Sequence, residues 1–395
     1  MHAQIAPGIY YTGVNERTLK NFEALWPLPY GVSYNSYLII DEKVVLIDAS
    51  EISMHAQHAM KIQEILGDRS IDYLIINHME PDHSGAIRDL LQIYPKMTLV
   101  GNAKTLAMVQ GFYGINPAVL EIKDNDILDT GNHKLRFYLT PMVHWPETMM
   151  TYDETTQTLF SGDAFGCFGA LNGSIIDGDM DLDLYWSEMR RYYATIVGKY
   201  ATPVQNALKK LGSLPISLLC TTHGPVWKKY IHEAISYYNQ FSQYEAGPGV
   251  VIAYGSMYGN TTLLAEKIAE ELAAQGIRKI KLWDTGVTDI SFILSDIFDC
   301  NALILGSPVY NSALFPKMQA LMEAIRSRDI KNRYYASFGT YAWGGIPLNK
   351  LAAFGEEMNW TTVYPTISQR YSLHEELFEE CRKMAIAMAD KIKQM

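Results

Sequence analysis

The stretch Ile76–Gly85 concentrates four potential metal ligands within six positions: His78, Glu80, Asp82 and His83. It follows an apolar, strand-like run, Tyr73–Ile76, and precedes a helical pattern that opens at Ser84. A strand alternates its side chains between two faces, whereas a loop at the end of a strand can direct all four ligands at one point. Imidazoles and carboxylates this close together repel one another or stay solvated unless a cation gathers them. The stretch therefore predicts a metal site, and a solvated loop capped by Ser84 is the plainer alternative.

Three more candidate ligands stand at or near the ends of predicted strands. They are His144 after Leu135–Val143, Asp163 after Thr158–Phe160, and His223 after Leu218–Thr222. A single His or Asp in such a place is more often an ordinary turn residue. Together with the loop, however, these residues make four histidines and three carboxylates, which is a full ligand set for two metal ions.

A second stretch suited to chemistry begins where the apolar run Val250–Tyr254 leads into a turn and then a helix. The turn contains Ser256, Met257, Tyr258, Gly259, Asn260 and Thr261. A strand, a turn rich in glycine and hydroxyl groups, and a helix N-terminus together form an anion site from backbone N–H groups. The turn matches neither G-x-x-x-x-G-K-[ST] nor G-x-G-x-x-G, which disfavours ATP, GTP and dinucleotides. Because it lacks Lys and Arg, neutral donors must hold the phosphate, as in the FMN loop of flavodoxins, which it resembles.

Two later loops at predicted strand ends carry aromatic residues and glycines that could hold a flat ring system. The first comprises Ser307, Pro308, Val309, Tyr310 and Asn311, and the second includes Ser337, Phe338, Gly339, Tyr341, Trp343, Gly344 and Gly345. Flavodoxin-like folds hold their ring system between such loops, at the carboxyl ends of the strands. The aromatic rings offer faces or edges to an isoalloxazine, and the glycines permit close backbone approach. The three loops together predict bound FMN.

The elements that position these residues follow two different patterns. Up to about residue 244, short strands cluster around helices, including one predicted helix over Tyr185–Leu211, which suggests sheets packed face to face with helices outside. Ala246–Gly249 is typical of a linker. From Val250 onward, strands and helices alternate regularly, as in a doubly wound parallel sheet. We therefore predict two α/β domains, residues 1–246 and residues 247–395.

Size, charge and cysteine usage restrict the possible functions. A chain of 395 residues predicts two or three domains, and a net charge of −10 argues against nucleic acid or an anionic membrane as the main partner. The sequence contains no run of 18 apolar residues, and Met1–Gln4 shows no basic region followed by an apolar one, so a cytoplasmic protein is expected. The cysteines are far apart and are expected to be reduced thiols: Cys167, Cys220, Cys300 and Cys381. Without a four-cysteine iron module, any electrons must come from another protein.

The order of the metal ligands resembles that of the metallo-β-lactamase fold, and Glu80 makes it similar to the flavodiiron proteins. Zinc hydrolases of this fold usually carry His at that position, whereas a charged oxygen donor suits iron that cycles between two oxidation states. The resemblance covers essentially the whole chain. It implies an N-terminal metallo-β-lactamase-like αββα sandwich followed by a flavodoxin-like, doubly wound parallel sheet. It also implies one iron bound by His78, Glu80 and His144, a second bound by Asp82, His83 and His223, and a bridging Asp163.

The same resemblance implies an oxidoreductase that passes electrons through FMN to a diiron site and reduces O2 to water, NO to N2O, or both. It implies a separate electron donor such as rubredoxin, and a head-to-tail homodimer or dimer of dimers that sets one subunit's FMN beside the other's irons. Tyr30 resembles a family position close to the irons, where it could donate a proton or a hydrogen bond. Trp145, in Trp145–Met149, could line a small apolar gas pocket. For both residues, ordinary packing is the alternative.

Two other classes of function compete with this interpretation. The first is a zinc-dependent hydrolase of the metallo-β-lactamase fold with an accessory flavodoxin domain, which thioester or phosphodiester cleavage without redox turnover would favour. The second is an electron carrier or gas sensor, which reducible FMN without turnover of O2 or NO would favour. The complete ligand set speaks against a carrier, because a carrier needs only the flavin.

Overall fold

The computed structural model describes residues 3–394. Met1, His2 and Met395 lie outside the described residues. The prediction made from Met1–Gln4 therefore falls partly outside them. The chain divides into two compact units. The first comprises Met1–Tyr192 and Tyr200–Asn239, and the second comprises Tyr193–Lys199 and Gln240–Met395. We keep residues 1–246 and 247–395 as a proposal for the domains.

The first sheet of the first unit mixes antiparallel and parallel pairing. Its strands, in spatial order, are Ala3–Ala6, Ile9–Tyr11, Tyr37–Ile40, Val44–Ile47, Tyr73–Ile75, Thr98–Gly101 and Val119–Glu121. Pairing is antiparallel as far as Val44–Ile47 and parallel from there to Val119–Glu121. The strand Tyr73–Ile75 is thus held between two parallel neighbours, and the metal loop begins at its carboxyl end.

The second sheet brings two of the later ligand positions together. Its strands, in spatial order, are Ile127–Asp129, Lys134–Leu139, Met149–Asp153, Thr158–Gly162 and Leu218–Thr221. The last two strands pair in parallel, so their carboxyl ends lie at the same edge, and Asp163 and His223 follow them. Two small antiparallel ladders accompany these sheets in the described residues, Val14–Glu16 with Val32–Tyr34 and Asn21–Phe22 with Trp26–Pro27.

Side-chain packing shows how the layers of the first unit are stacked. Leu38, Leu46 and Leu74 of the first sheet belong to one buried cluster with Ile62 and Leu66 of a helix. On the opposite face, Tyr37 lies 5.3 Å from Phe160 of the second sheet, ring centroid to ring centroid. The two sheets therefore face each other, with helices outside, as predicted. The helices before residue 245 are His55–Leu66, Pro81–Ser84, Ile87–Ile93, Ala103–Tyr113, Asp183–Tyr192, Ala201–Leu211 and Ile231–Ser242, with short 3-10 turns at Ile52–Met54 and Asp177–Asp179.

The second unit is a doubly wound parallel sheet. Its strands, in spatial order, are Ile280–Asp284, Gly247–Tyr254, Cys300–Tyr310, Tyr334–Tyr341 and Thr361–Thr362, and all pair in parallel. This is the flavodoxin-like 2-1-3-4-5 order. Ile367–Arg370 extends the pairing of Tyr334–Tyr341, and Ala313–Leu314 adds a short antiparallel strand to Cys300–Tyr310. The helices are Asn260–Ala274, Ile290–Asp299, Pro316–Ser327, Asn349–Glu357 and Glu375–Ile392, with a 3-10 turn at Ile346–Leu348.

The segment Ala246–Gly249 is not the linker that its composition predicts. Gly247 already pairs with Cys300 in the strand Gly247–Tyr254, and the register shifts before Val250. Pro248 falls in this irregular part of the ladder, where the missing N–H of a proline is tolerated. The breaking residues therefore mark an irregular strand start, and the linker prediction is wrong for Gly247–Gly249.

The single helix predicted over Tyr185–Leu211 is interrupted. Asp183–Tyr192 is α-helical, Tyr193–Val197 forms a π-helical turn, and a new helix, Ala201–Leu211, follows. Pro203 accounts for the fresh start, because proline is tolerated in the first turn of a helix but not in its interior.

Two predictions about the whole chain concern its cysteines and its membrane-spanning potential. All four cysteines are buried and unpaired, as predicted. Among the residues that the structure describes, no helix combines the length and the apolar character needed to cross a membrane.

Candidate metal centre and flavin site

The metal loop combines a strand end with a very short helix. Pro81 begins the helix Pro81–Ser84, which carries Asp82 and His83. Proline suits the first helical position because its missing N–H would have no partner there. The helix therefore opens three residues before the predicted start at Ser84. The Ser84 hydroxyl instead donates back to the carbonyls of Met79 and Glu80, over 2.8 and 3.0 Å.

All seven predicted ligands converge on one buried place in two adjoining groups. In each group, one ligand atom per residue lies within 4.8 Å of the others. The first group is His78, Glu80, His144 and Asp163, and the second is Asp82, His83 and His223. The resemblance implies the same division except that Asp163, here in the first group, is shared between the two.

Asp163 lies between the two groups and offers one oxygen to each. Its Oδ2 is 3.1 Å from Nε2 of His144, and its Oδ1 is 2.9 Å from Nε2 of His83. The hydroxyl of Thr222 donates to Oδ1 over 2.7 Å, which fixes the plane of the carboxylate. A carboxylate held in this way is suited to bridging two metal ions.

Hydrogen bonds behind the imidazoles leave their Nε2 atoms turned toward the centre. Nδ1 of His78 lies 2.7 Å from Oε1 of the buried Glu147, which also accepts from the backbone N–H of Met79. Nδ1 of His223 donates to the carbonyl of Ser33 over 2.7 Å. Such partners orient a metal-binding histidine and set which nitrogen is free to bind. Glu147 lies in the Trp145–Met149 motif but has no ligand spacing of its own, so the sequence does not predict this role.

The charges of the ligands depend strongly on one another. Burial disfavours the His78 cation, but the carboxylates of Glu147 and Glu80 outweigh this and raise its pKa well above the ordinary value. Burial likewise opposes the cations of His83 and His144, yet the neighbouring carboxylates raise both pKa values to about 9. The raised pKa values show that the carboxylates around these three histidines favour positive charge at the centre.

Asp82 gives the most direct sign that a cation fits this site. Both of its carboxylate oxygens are buried and accept no hydrogen bond from the described residues, although Oδ2 lies 3.1 and 3.2 Å from Nε2 of His223 and His83. A buried carboxylate in that state is costly unless a cation binds it. A set of imidazole nitrogens and carboxylate oxygens suits zinc and the transition metals, iron among them.

A cavity of about 440 Å³ opens above the ligands Glu80 and Asp82. Its wall includes Phe22, Glu23, Tyr34 and Glu51. The rings of Phe22 and Tyr34 lie 5.5 and 5.9 Å from the ring of His223. Phe22 and Tyr34 stand in short strands before the first ligand, and no spacing connects them to it, so the sequence does not predict their place at the centre. The cavity is the open side of the centre.

The two residues predicted near the irons occupy different surroundings. Tyr30 is 51% exposed, and its backbone carbonyl accepts from the N–H of Ala170. The tyrosine in the cavity wall is instead Tyr34, which is 2% exposed. The ring of Trp145 packs edge-on against His78, with centroids 5.2 Å apart at 88°. Trp145 thus supports a ligand imidazole by packing, and the roles of Tyr30 and Trp145 stay predictions.

In the second unit, the three predicted loops meet around a cavity of about 380 Å³ at the carboxyl ends of the strands. Predicted residues in its lining are Ser256, Met257, Tyr258, Asn260, Thr261, Pro308, Val309, Asn311, Tyr341, Trp343 and Gly344. The structure adds Ser312, Thr340, Ala342, Tyr371 and Ser372. A hydrogen bond of 2.8 Å between the hydroxyls of Thr261 and Thr340 joins the first loop to the third. This is the place for a mononucleotide with a flat ring.

The other predicted flavin residues support the loops from beside or beneath the cavity. Gly259 precedes the helix Asn260–Ala274 with a φ of 95°, which favours glycine. A Cβ on Gly339 would meet the carbonyl oxygen of Ser307 at 2.7 Å, so that close packing needs glycine. Ser337 shares a hydrogen bond with Thr366 below the loop. The rest are Phe338 in the core, Gly345 against the ring of Tyr341, and Tyr310, which is 43% exposed.

Comparisons with known sequences match the metal centre and the flavin cavity to two different family models. A family model described as ODP family beta lactamase matches residues 32–224, and a flavodoxin model matches residues 252–383. An uncharacterized protein of Methanocaldococcus jannaschii is 32% identical, over 99% of this chain and 98% of the relative. The anaerobic nitric oxide reductase flavorubredoxin of Escherichia coli is 29% identical, over 89% of this chain and 74% of the relative.

Solved structures match the chain along nearly its whole length. Rubredoxin oxygen:oxidoreductase from Desulfovibrio gigas superposes with a TM-score of 0.94 at 26% identity, covering 100% of this chain and 99% of that one. The flavodiiron protein from Giardia intestinalis superposes with a TM-score of 0.93 at 25% identity, covering 99% and 98%.

Proposed function

The chain belongs to the flavodiiron protein family and is an oxidoreductase, and we propose that it reduces O2 to water, NO to N2O, or both. In this proposal, electrons enter through FMN in the second unit and are used at two iron ions in the first. The observation that carries it is the convergence of seven buried candidate ligands in two groups, with Asp163 between the groups. A flavin cavity in the same chain supports redox chemistry rather than hydrolysis.

The metal centre would hold one iron at His78, Glu80 and His144 and the other at Asp82, His83 and His223, with Asp163 shared. Two bound iron ions supply a store for two electrons and open positions for a small gas. The protein's part is to orient the ligands. Glu147 and the Ser33 carbonyl fix two of the imidazoles, and Thr222 fixes the shared carboxylate.

The flavin site would hold the FMN phosphate at the turn Ser256–Thr261 and the ring between the two later loops. Bound FMN accepts and releases single electrons, which matches a donor that delivers one electron at a time to a reaction that needs several. The helix Asn260–Ala274 presents free backbone N–H groups at its start, where a phosphate is stabilised without Lys or Arg. Trp343 and Tyr341 line the cavity where the ring would lie.

The cavity above the metal ligands favours a small neutral substrate. Besides the ligands, its wall carries the carboxylates of Glu16, Glu23 and Glu51. These negative charges disfavour an anionic substrate, such as the phosphodiesters that a zinc hydrolase of this fold would cleave. Neutral O2 and NO are not repelled. The acidic wall therefore supports gas reduction over the hydrolase alternative.

The proposal extends to partners and location. We propose a separate electron donor such as rubredoxin, a head-to-tail homodimer or dimer of dimers, and a cytoplasmic location. The exposed rings of Tyr258 and Trp343 at the flavin cavity, 95% and 88% exposed, support a partner that covers this face. The net charge of −10 disfavours nucleic acid and anionic membranes as partners.

Gas turnover by the iron-loaded, FMN-containing protein tests the function. The protein, reduced chemically without oxygen, is mixed with O2 or with NO under excess reductant, while O2 uptake and N2O release are recorded. We expect repeated turnover with at least one gas. Reducible FMN without turnover of either gas would support the carrier or sensor instead, and cleavage of thioesters or phosphodiesters by the zinc-loaded protein would support the hydrolase.

A further inference from the structure

A fourth segment of the second unit contributes to the wall of the flavin cavity. Besides residues of the three predicted loops, Tyr371 and Ser372 line this cavity. They follow the strand Ile367–Arg370, which pairs in parallel with Tyr334–Tyr341, so both strands end at the same edge of the sheet. The fourth segment therefore reaches the cavity from the edge that also carries the predicted loops.

Hydrogen bonds fix the backbone of Tyr371 on both of its sides. Its N–H donates to the carbonyl of Tyr341 over 2.9 Å, and its carbonyl accepts from the side-chain amide of Asn260 over 3.4 Å. Tyr341 belongs to the third loop, and Asn260 belongs to the turn proposed to hold the phosphate. The amide of Gln369 also donates to the carbonyl of Ser372 over 2.7 Å. Tyr371 therefore joins the phosphate turn to the third loop.

Tyr371 adopts a backbone conformation that tyrosine rarely takes. Its φ of 61° lies in the left-handed region, where a Cβ crowds the backbone and glycine or asparagine is favoured. Asn311 and Ser312, in the wall of the same cavity, share this conformation with φ values of 47° and 55°. Residues in such conformations cluster at ligand sites, where the surrounding structure holds them in place. Local backbone preference therefore does not explain a tyrosine at position 371.

The ring of Tyr371 is held in place by Arg370. The guanidinium carbon of Arg370 lies 4.6 Å from the centroid of this ring, which is a cation–π contact. Nε of Arg370 donates to the carbonyl of Ala342, another residue of the cavity wall, over 2.9 Å. Although Tyr371 is 56% exposed, the orientation of its ring is thus fixed. A flat apolar surface that is already oriented binds a ligand at a lower cost in conformational entropy.

We propose that Tyr371 binds FMN by packing its ring against the bound cofactor, and that Arg370 is the positioning residue that holds this ring. The inference rests on the proposed function, because it needs FMN in this cavity. Every residue that lines the cavity is uncharged, so packing and neutral hydrogen bonds must account for much of the binding. Removal of the Tyr371 ring consequently weakens FMN binding and shortens the lifetime of the complex.

FMN binding by the full-length protein tests this inference, with FMN itself as the probe. Flavin is removed from wild type and from the variants Tyr371→Gly, Tyr371→Phe, Arg370→Gln and the double variant Tyr371→Gly/Arg370→Gln. Titration with FMN gives the dissociation constant, and release of FMN after dilution gives the dissociation rate. Asn359→Gly is the matched control, because Asn359 is exposed, has a φ of 55° and lies outside the flavin cavity. Thermal unfolding of the FMN-free proteins compares their stabilities.

For Tyr371→Gly, we expect FMN affinity to fall by about tenfold through faster dissociation. The unfolding temperature of the FMN-free protein should not fall, because glycine is favoured at a left-handed φ. Tyr371→Phe retains the ring and should bind FMN as wild type does, and so should Asn359→Gly. Arg370→Gln should weaken FMN binding on its own but add nothing in the Tyr371→Gly background, because a positioning residue acts only through the residue that it positions.

Unchanged FMN affinity in Tyr371→Gly would overturn the inference and leave the flavin site in place. The same conclusion would follow if Tyr371→Phe or Asn359→Gly bound FMN as weakly as Tyr371→Gly, or if the FMN-free Tyr371→Gly protein were itself destabilised. An effect of Arg370→Gln that persists in the double variant would refute the positioning role of Arg370. A wild-type protein that binds no FMN would instead count against the proposed function itself.

Discussion

Glu147 holds His78 from behind: Nδ1 of the imidazole lies 2.7 Å from Oε1 of the carboxylate, and both side chains are buried. The same oxygen accepts the N–H of Met79, so Glu147 also fixes the backbone between two ligands. A carboxylate behind a histidine increases the basicity of that histidine as well as orienting it. The metal loop therefore depends on a residue 69 positions away in the sequence.

Replacing Glu147 should weaken metal binding without removing a ligand. For Glu147→Gln we expect affinity for ferrous iron to fall by about 10- to 100-fold, because the amide orients His78 but no longer increases its basicity. Chelator competition on the FMN-containing protein measures this. The exposed Glu121→Gln is the control, and equal iron affinity in the two variants would show that Glu147 does not act through His78.

Glu80→His should convert the ligand set toward that of a zinc hydrolase. We expect iron per chain to fall from about two to about one or less, with gas reduction falling along with it, while FMN stays bound. Metal analysis and flavin extraction on one sample provide the measurement. Loss of FMN together with iron would show that the two sites are not structurally independent, contrary to the proposed domain division.

Gly339 should tolerate no side chain. Its Cβ would meet the carbonyl oxygen of Ser307 at 2.7 Å and Leu348 at 2.4 Å, so we expect Gly339→Ala to destabilise the second unit by about 1–3 kcal/mol. Gly247 of the same unit is the control, because a Cβ there meets only the carbonyl oxygen of Asp299, at 3.8 Å, and the residue lies outside the flavin loops. Thermal unfolding of the two variants is monitored through the release of flavin. Equal unfolding midpoints would contradict the predicted clash.

The buried pair His133–Asp153 should make stability depend on pH. Nδ1 of His133 lies 2.8 Å from Oδ2 of Asp153, and this hydrogen bond raises the pKa of His133. A raised pKa means that the histidine's stabilising effect is complete below its unfolded pKa of about 6.5 and is lost as pH rises through the folded value. His133→Gln should therefore lower the unfolding temperature more at about pH 6 than at about pH 9.

The exposed His232→Gln serves as the control for this pH effect, since the change is the same but the residue is on the surface. A loss of stability in His133→Gln that is equal at both pH values would show that the pair contributes packing alone.

The structure brings the predicted metal-binding residues together, and likewise the predicted flavin loops, and one physical reason accounts for both. His78, Glu80, Asp82 and His83 stand together at a strand end, and parallel pairing brings Asp163 and His223 to a common edge. The flavin loops likewise end parallel strands of one sheet. In both units, strand ends that look unrelated in the sequence meet because parallel strands align their carboxyl ends.

What the sequence does not predict depends on packing between distant parts of the chain. Glu23 and Tyr34 line the cavity from short antiparallel ladders that have no periodic sequence pattern. Glu147 contacts His78 although the two residues follow strands of different parts of the chain. Local rules also mislead at Pro248, which marks an irregular strand start rather than a linker. Proline and glycine indicate that the backbone is constrained, but they do not show whether the constraint is a linker, a turn or an irregular strand.

The most direct test of the central claim is elemental analysis for iron and zinc beside extracted FMN, on one protein sample purified without added metal. We predict about two irons per FMN, held by the seven ligands that include Asp163. Zinc in their place that iron reconstitution cannot displace would contradict the claim and favour the hydrolase.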